Sequence, residues 1–169
     1  IVEQVCRGLG EAHRLGIIHR DLKPGNIYLC AYDSYADFVK VLDFGIARLV
    51  DGESDQHNLT KTGMVTGTPR YMSPEQCRAG VEITPSSDLY SLGCILYELL
   101  TGEPPYDAPG PAELLLKQLQ ATIPRVTSDE LDPHESRLWS QAMLKLLAKK
   151  PRSRPRTEAE MRTLLKDTL

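Results

Sequence analysis

The sequence lacks any apolar run long enough to cross a bilayer. Its longest, Leu89 to Leu100, is interrupted by Ser91 and Glu98 and falls short of the roughly 20 residues a spanning helix needs. It does not open with a cationic stretch followed by an apolar core, so no signal peptide is expected. The four cysteines, Cys6, Cys30, Cys77 and Cys94, are scattered without a CxxC or Cys/His spacing that would suit zinc. That pattern reads as reduced, mostly buried thiols in a cytoplasmic protein. His13, His57 and His134 have no metal-like spacing either. A formal net charge of −3 argues against strong attraction to nucleic acid or membrane. Eight basic side chains face three acidic ones from Lys145 onward, but no nucleic-acid partner is expected there. No internal repeat or low-complexity tract stands out.

What is present suits one domain or a large part of one: 169 residues with 41% apolar content, enough for a packed core. The first residue is Ile1 and a helical pattern is already running there, so the chain is read as truncated at its N-terminus. Val2, Val5, Leu9, Ala12 and Leu15 recur at helical spacing, and Gly16 ends that helix. Ile17 and Ile18 are expected to begin a strand. Ile27 to Cys30 and Val39 to Leu42 read as two strands of a hairpin around a polar turn. Pro85 to Leu100 is the strongest helix, apolar around much of its circumference through Leu89, Leu92, Ile95, Leu96, Leu99 and Leu100. Such a helix is expected to be buried and central, with Ser86 or Ser87 capping its start. Ala112 to Gln120, His134 to Ala148 and Glu158 to Leu169 read as three further helices, the last capped by Thr157 with Glu160 three residues on.

The densest stretch of chemistry is His19 to Asn26, HRDLKPGN. An acid, a lysine two residues on, a proline, a glycine and an amide five residues past the acid share eight positions. Asp21 could orient a hydroxyl and accept its proton, Lys23 could neutralise a phosphate, and Asn26 could help hold a metal ion. A Pro-Gly turn with solvated charges is the bland alternative. The hairpin then returns the chain to Asp43, where a second oxygen ligand could share a hard cation with Asn26. Phe44 reads as a core residue beside it. From Ile46 to Tyr71 the chain is polar and aperiodic, and a loop this long inside a compact domain is usually functional or disordered.

HRDLKPGN, DFG at Asp43 to Gly45 and GTPRYMSPE further on resemble the catalytic loop and activation segment of eukaryotic-type serine/threonine protein kinases, in the bacterial branch. The resemblance covers nearly all of the chain. It implies an α+β, mainly α fold: the kinase C-terminal lobe, with a short β-hairpin by the catalytic loop and an activation segment at residues 43 to 75. It implies ATP and Mg2+ as cofactors, with Asn26 and Asp43 as metal ligands and Asp21 as the catalytic acid–base group. Lys23 would contact the transferred phosphoryl group, and Thr68 would bond Asp21 and Lys23. Lys23 and Thr68 together would select serine or threonine hydroxyls of protein substrates.

By the same resemblance, Arg20 would receive a phosphate on the activation segment, with Thr60 and Thr62 as the phosphorylated pair. His19 would be packed under the loop, Asp88 would bond backbone amides of the loop, and Glu75 would form a buried ion pair with Arg154. Arg154→Ala is accordingly expected to lower solubility more than Glu158→Ala. Ser73 stands where Ala is usual, Tyr90 where Trp is usual, and Lys150 where Asp is usual. No GxGxxG loop, no VAIK-like strand and no helix glutamate to hold its lysine occur in the sequence, so the N-terminal kinase lobe is expected to be missing from this chain. The alternatives are a non-catalytic binding or regulatory kinase-like module and a small-molecule phosphotransferase, although the latter would not predict GTPRYMSPE.

Overall fold

The computed structural model describes residues 1–32, 35–44 and 69–168. Within them, five helices surround one core and a single antiparallel hairpin lies to one side. In chain order these are α1 (Val2–Arg14), β1 (Ile27–Tyr32), β2 (Tyr35–Val41), α2 (Pro85–Thr101), α3 (Pro111–Gln120), α4 (Pro133–Leu146) and α5 (Glu158–Lys166). Short 3-10 turns sit at Pro24–Asn26, Pro69–Tyr71 and Pro151–Ser153. The mainly helical architecture agrees with a kinase-like lobe.

Helix α2 is the central element. Every residue from Ser87 to Tyr97 is buried, as expected for a helix apolar on most sides. Leu99 departs from that expectation and is 55% exposed, because the last turn emerges from the core. The start also differs. Thr84 precedes the first turn, Pro85 takes the first helical position, and Ser87 accepts the Thr84 amide hydrogen at 3.4 Å. Gly93 allows close approach to α4: a Cβ there would come within 3.1 Å of both Leu146 Cβ and Leu147 Cδ2. From α4, Trp139, Ala142, Met143 and Leu146 complete the core with Leu9 of α1 and Met161 of α5. Each fully buried aliphatic side chain contributes on the order of 1.5–3 kcal/mol.

Helix α1 buries Val5, Cys6 and Leu9, while Leu15, expected on that face, is 66% exposed just beyond the helix. Gly16, at φ +76°, donates to the His13 carbonyl and Ile17 donates to the Ala12 carbonyl, closing the helix end. That closure consumes the Ile17 amide. Ile17 and Ile18 lie outside any strand, a correction to the sequence reading. The hairpin pairs Ile27 with Val41 and Leu29 with Val39, and its strands run further into the expected turn than their apolar residues indicated. The Gln4 side chain ties β2 to α1, donating to the Asp37 carbonyl at 2.9 Å and accepting from the Val39 amide at 3.0 Å. No described helix is long and apolar enough to cross a membrane.

Candidate active site

The loop from His19 to Asn26 is fastened from three sides. From α2, the buried Asp88 accepts the His19 amide hydrogen on Oδ2 at 2.8 Å and the Arg20 amide hydrogen on Oδ1 at 2.9 Å. From the hairpin side, the Leu42 carbonyl bonds His19 Nε2 at 2.9 Å, and the Phe44 ring lies 4.8 Å from the His19 ring. From the segment after Tyr71, Gln76 donates to the Arg20 carbonyl at 2.5 Å and accepts from the Ser73 amide and hydroxyl at 3.0 and 3.1 Å. His19 is fully buried, so it packs beneath the loop and leaves the surface to Asp21 and Lys23.

On that surface Lys23 Nζ donates to Asp21 Oδ2 at 2.7 Å, and both side chains are about one-third exposed (30% and 37%). A carboxylate with a cation on one oxygen keeps its other oxygen for a hydroxyl proton. Asn26, nearly buried, donates its side-chain N–H to the Asp21 carbonyl at 2.9 Å, and its own carbonyl accepts from the Leu42 amide at 2.9 Å. The second bond sets Asp43, one residue past Leu42, beside the Asn26 turn. Arg20 (φ 66°) and Asp43 (φ 55°) are the two non-glycine residues at positive φ among the described residues. Left-handed backbone is uncommon for side-chain-bearing residues and collects at functional loops.

Asn26 and Asp43 suit a hard cation such as magnesium. The Asn26 nitrogen is committed to the Asp21 carbonyl, which leaves its amide oxygen as the ligating end, and Asp43 adds an exposed carboxylate.

Glu75 and Arg154 anchor the far end of the same unit. Arg154 Nη1 and Nη2 donate to the two Glu75 oxygens at 2.7 and 2.8 Å, and the Ser87 hydroxyl donates to Glu75 Oε1 at 2.7 Å. The remaining Arg154 donors reach the carbonyls of Ala148, Ser86 and Lys149. Burial alone would raise the Glu75 pKa, but these hydrogen bonds from Arg154 and Ser87 outweigh it and hold the carboxyl below its usual value. The 3-10 turn at Pro69–Tyr71 is tied down as well: Gln118 donates to the Pro69 and Arg70 carbonyls, and Ser91 donates to the Tyr71 carbonyl at 2.7 Å.

Thr60, Thr62 and Thr68 lie outside the described residues. Two participants escaped the sequence reading. Gln76 carried no signal beyond its place after Ser73-Pro74-Glu75. His13 showed no metal-like spacing, yet its buried ring stands between Asp88 of α2 and Glu158 of α5. Glu158 is consequently no inert comparison for Arg154.

A family model described as "Protein kinase domain" matches residues 1–167. The chain is 44% identical over 155 residues to the serine/threonine-protein kinase pkn3 of Myxococcus xanthus, covering 92% of this chain and 28% of that protein. It is 44% identical over 167 residues to the serine/threonine-protein kinase PknB of Mycobacterium leprae, covering 96% and 24%. It is 43% identical over 170 aligned residues to the serine/threonine-protein kinase Pkn1 of Myxococcus xanthus, covering 100% and 24%. The chain thus spans about a quarter of the length of the curated relatives it matches.

Proposed function

The chain belongs to the protein kinase domain family, and we propose that it is the catalytic lobe of a cytoplasmic serine/threonine protein kinase. The intact enzyme would move the γ-phosphoryl group of ATP to serine or threonine hydroxyls of proteins, gripping the nucleotide with a lobe that this chain does not contain. The observation that carries this reading is the Asp21–Lys23 pair, held at 2.7 Å on a loop whose neighbouring amides are fixed by buried Asp88.

Each residue has a defined task in that reaction. Asp21 accepts a hydrogen bond from the acceptor hydroxyl and takes its proton as the oxygen–phosphorus bond forms and the bond from the γ phosphorus to the departing ADP breaks. Lys23, already on Asp21, offsets negative charge on the phosphoryl group in transit. Magnesium, when held by Asn26 and Asp43, supplies charge neutralisation at the phosphates. Phosphoryl transfer has little covalent chemistry for a protein to perform, so rigid placement is the main contribution. Asp88, His19 and Gln76 provide it here.

Lys23 and Thr68 are assigned to the selection of serine and threonine hydroxyls. Arg20, at the loop's edge, is assigned to receive a phosphate carried by Thr60 or Thr62. The test is phosphoamino-acid analysis of a generic basic protein incubated with labelled ATP and the intact enzyme. Phosphoserine and phosphothreonine are expected; label confined to phosphotyrosine, or none at all, would overturn the reading.

A further inference from the structure

Three donors converge on the Asp88 carboxylate: the His19 amide, the Arg20 amide and, at 2.7 Å on Oδ2, His13 Nε2. The opposite ring nitrogen, Nδ1, is in hydrogen-bonding contact with Glu158 Oε1. The His13 ring and both carboxylates are largely buried. An ionised carboxylate can only accept, and a neutral imidazole has a single N–H. Both contacts are hydrogen bonds to ionised partners only when each ring nitrogen carries a hydrogen. The ring is then a cation between two anions, and Asp88 has the counter-charge that its burial requires.

We propose that Glu158 is a positioning residue for the catalytic loop: it keeps His13 doubly protonated and oriented, and His13 in turn fixes the Asp88 carboxylate that holds the His19 and Arg20 amides. The consequence for catalysis rests on the kinase reading above. The contact chain itself does not.

The placement of Glu158 is built into the fold. It is the first residue of α5, whose start is capped by the Thr157 hydroxyl, and a carboxylate is favoured at that helix end. Glu158 packs against α1 at Gly10, where a Cβ would make ordinary contact with it, 3.5 Å from Glu158 Oε2 and 3.8 Å from Glu158 Cβ. Burial alone would lower the His13 pKa; the hydrogen bonds and charges of Asp88 and then Glu158 outweigh it and raise the pKa. Of the elements around the ring, α2 contributes Asp88, α5 contributes Glu158, and the loop contributes the amides of His19 and Arg20. Further along the α1–α5 seam Arg162 pairs with Glu3 at 3.1 Å, while β2 meets α1 through Gln4 and Val41.

The test compares the intact enzyme with its Glu158→Gln and Glu158→Ala variants. Two quantities are read at pH 6 and pH 8: hydrogen-exchange protection of the His19–Arg20 amides, and phosphotransfer kcat with KM for ATP. Glu158→Ala is expected to lose protection and kcat by about tenfold or more at pH 8 with KM little changed. Glu158→Gln retains an acceptor without the charge, so it should lie nearer the parent at pH 6, where protonation of the ring is favoured, and resemble Glu158→Ala at pH 8. Parental protection in Glu158→Ala at both pH values, or equal behaviour of the two variants throughout, would overturn the proposal. Protection requires no turnover: its loss in a protein that transfers no phosphate would support the positioning role while refuting the kinase reading.

Discussion

Arg154 and Glu75 meet in a two-point ion pair, at 2.7 and 2.8 Å, between side chains that are 0% and 2% exposed. The pair joins the segment before α2 to the connection between α4 and α5. Removing one partner strands a buried charge, which typically costs about 3–5 kcal/mol. Arg154→Ala should therefore lower the denaturation midpoint strongly, whereas Arg156→Ala, at an exposed position, should change stability by no more than about 0.5 kcal/mol. Chemical denaturation of both variants checks this, and equal midpoints would remove the structural role of the pair.

Lys149 predicts a pH dependence of the opposite kind to a stabilised ion pair. Its ammonium donates to the Gln118 carbonyl at 2.8 Å and lies 4.1 Å from the Tyr106 ring centroid, and burial lowers its pKa from 10.5 to about 8. Between those values the unfolded chain still carries the proton and the folded chain has released it. Folding stability from this group therefore rises with pH across that window and is least below about pH 8. The stability of Lys149→Met relative to the parent should fall as pH rises from 8 to 10.5. Thermal denaturation at several pH values measures the gap, and a pH-independent gap would contradict the assignment.

Tyr106 and Tyr90 should respond differently to loss of the hydroxyl. The Tyr106 hydroxyl is buried without a hydrogen-bond partner among the described residues, while the Tyr90 hydroxyl donates to Gln118 Oε1 at 2.6 Å. Tyr106→Phe removes an unsatisfied polar atom and keeps the ring beneath Lys149, so stability should be unchanged or higher by about 1 kcal/mol. Tyr90→Phe should lower it by about 1–2 kcal/mol, because Gln118 loses that donor. Urea titration distinguishes the two. A larger loss in Tyr106→Phe would show that its hydroxyl has a partner.

The parts of this fold that were legible in the sequence are those written locally. HRDLKPGN carries its chemistry in eight consecutive positions, and apolar runs around a polar turn suffice to specify the hairpin. Helix α2 was legible because its apolar residues cover most of its circumference. Periodicity tells which residues share a face but not how far the partner extends, so Leu15 and Leu99 were assigned to a core that stops short of them. Ile17 and Ile18 have strand-forming side chains, yet the helix end takes the Ile17 amide first. The His13 junction brings α1 together with α2 and α5 across 75 and 145 residues of sequence. No local pattern encodes such a meeting, and the same holds for Gln76 reaching the Arg20 carbonyl across 56 residues.

The central claim is that Asp21 and Asp43 serve phosphoryl transfer. Its most direct test is the initial rate of ATP-dependent protein phosphorylation by the intact enzyme and by its Asp21→Asn and Asp43→Asn variants, each shown to be folded by an unchanged denaturation midpoint. Asp21→Asn loses the proton acceptor, for which general-base catalysis alone predicts a fall of about 10²–10⁴-fold. Asp43→Asn loses a charged metal ligand and should fall comparably, with partial recovery at raised magnesium. Parental rates in both folded variants would contradict the account.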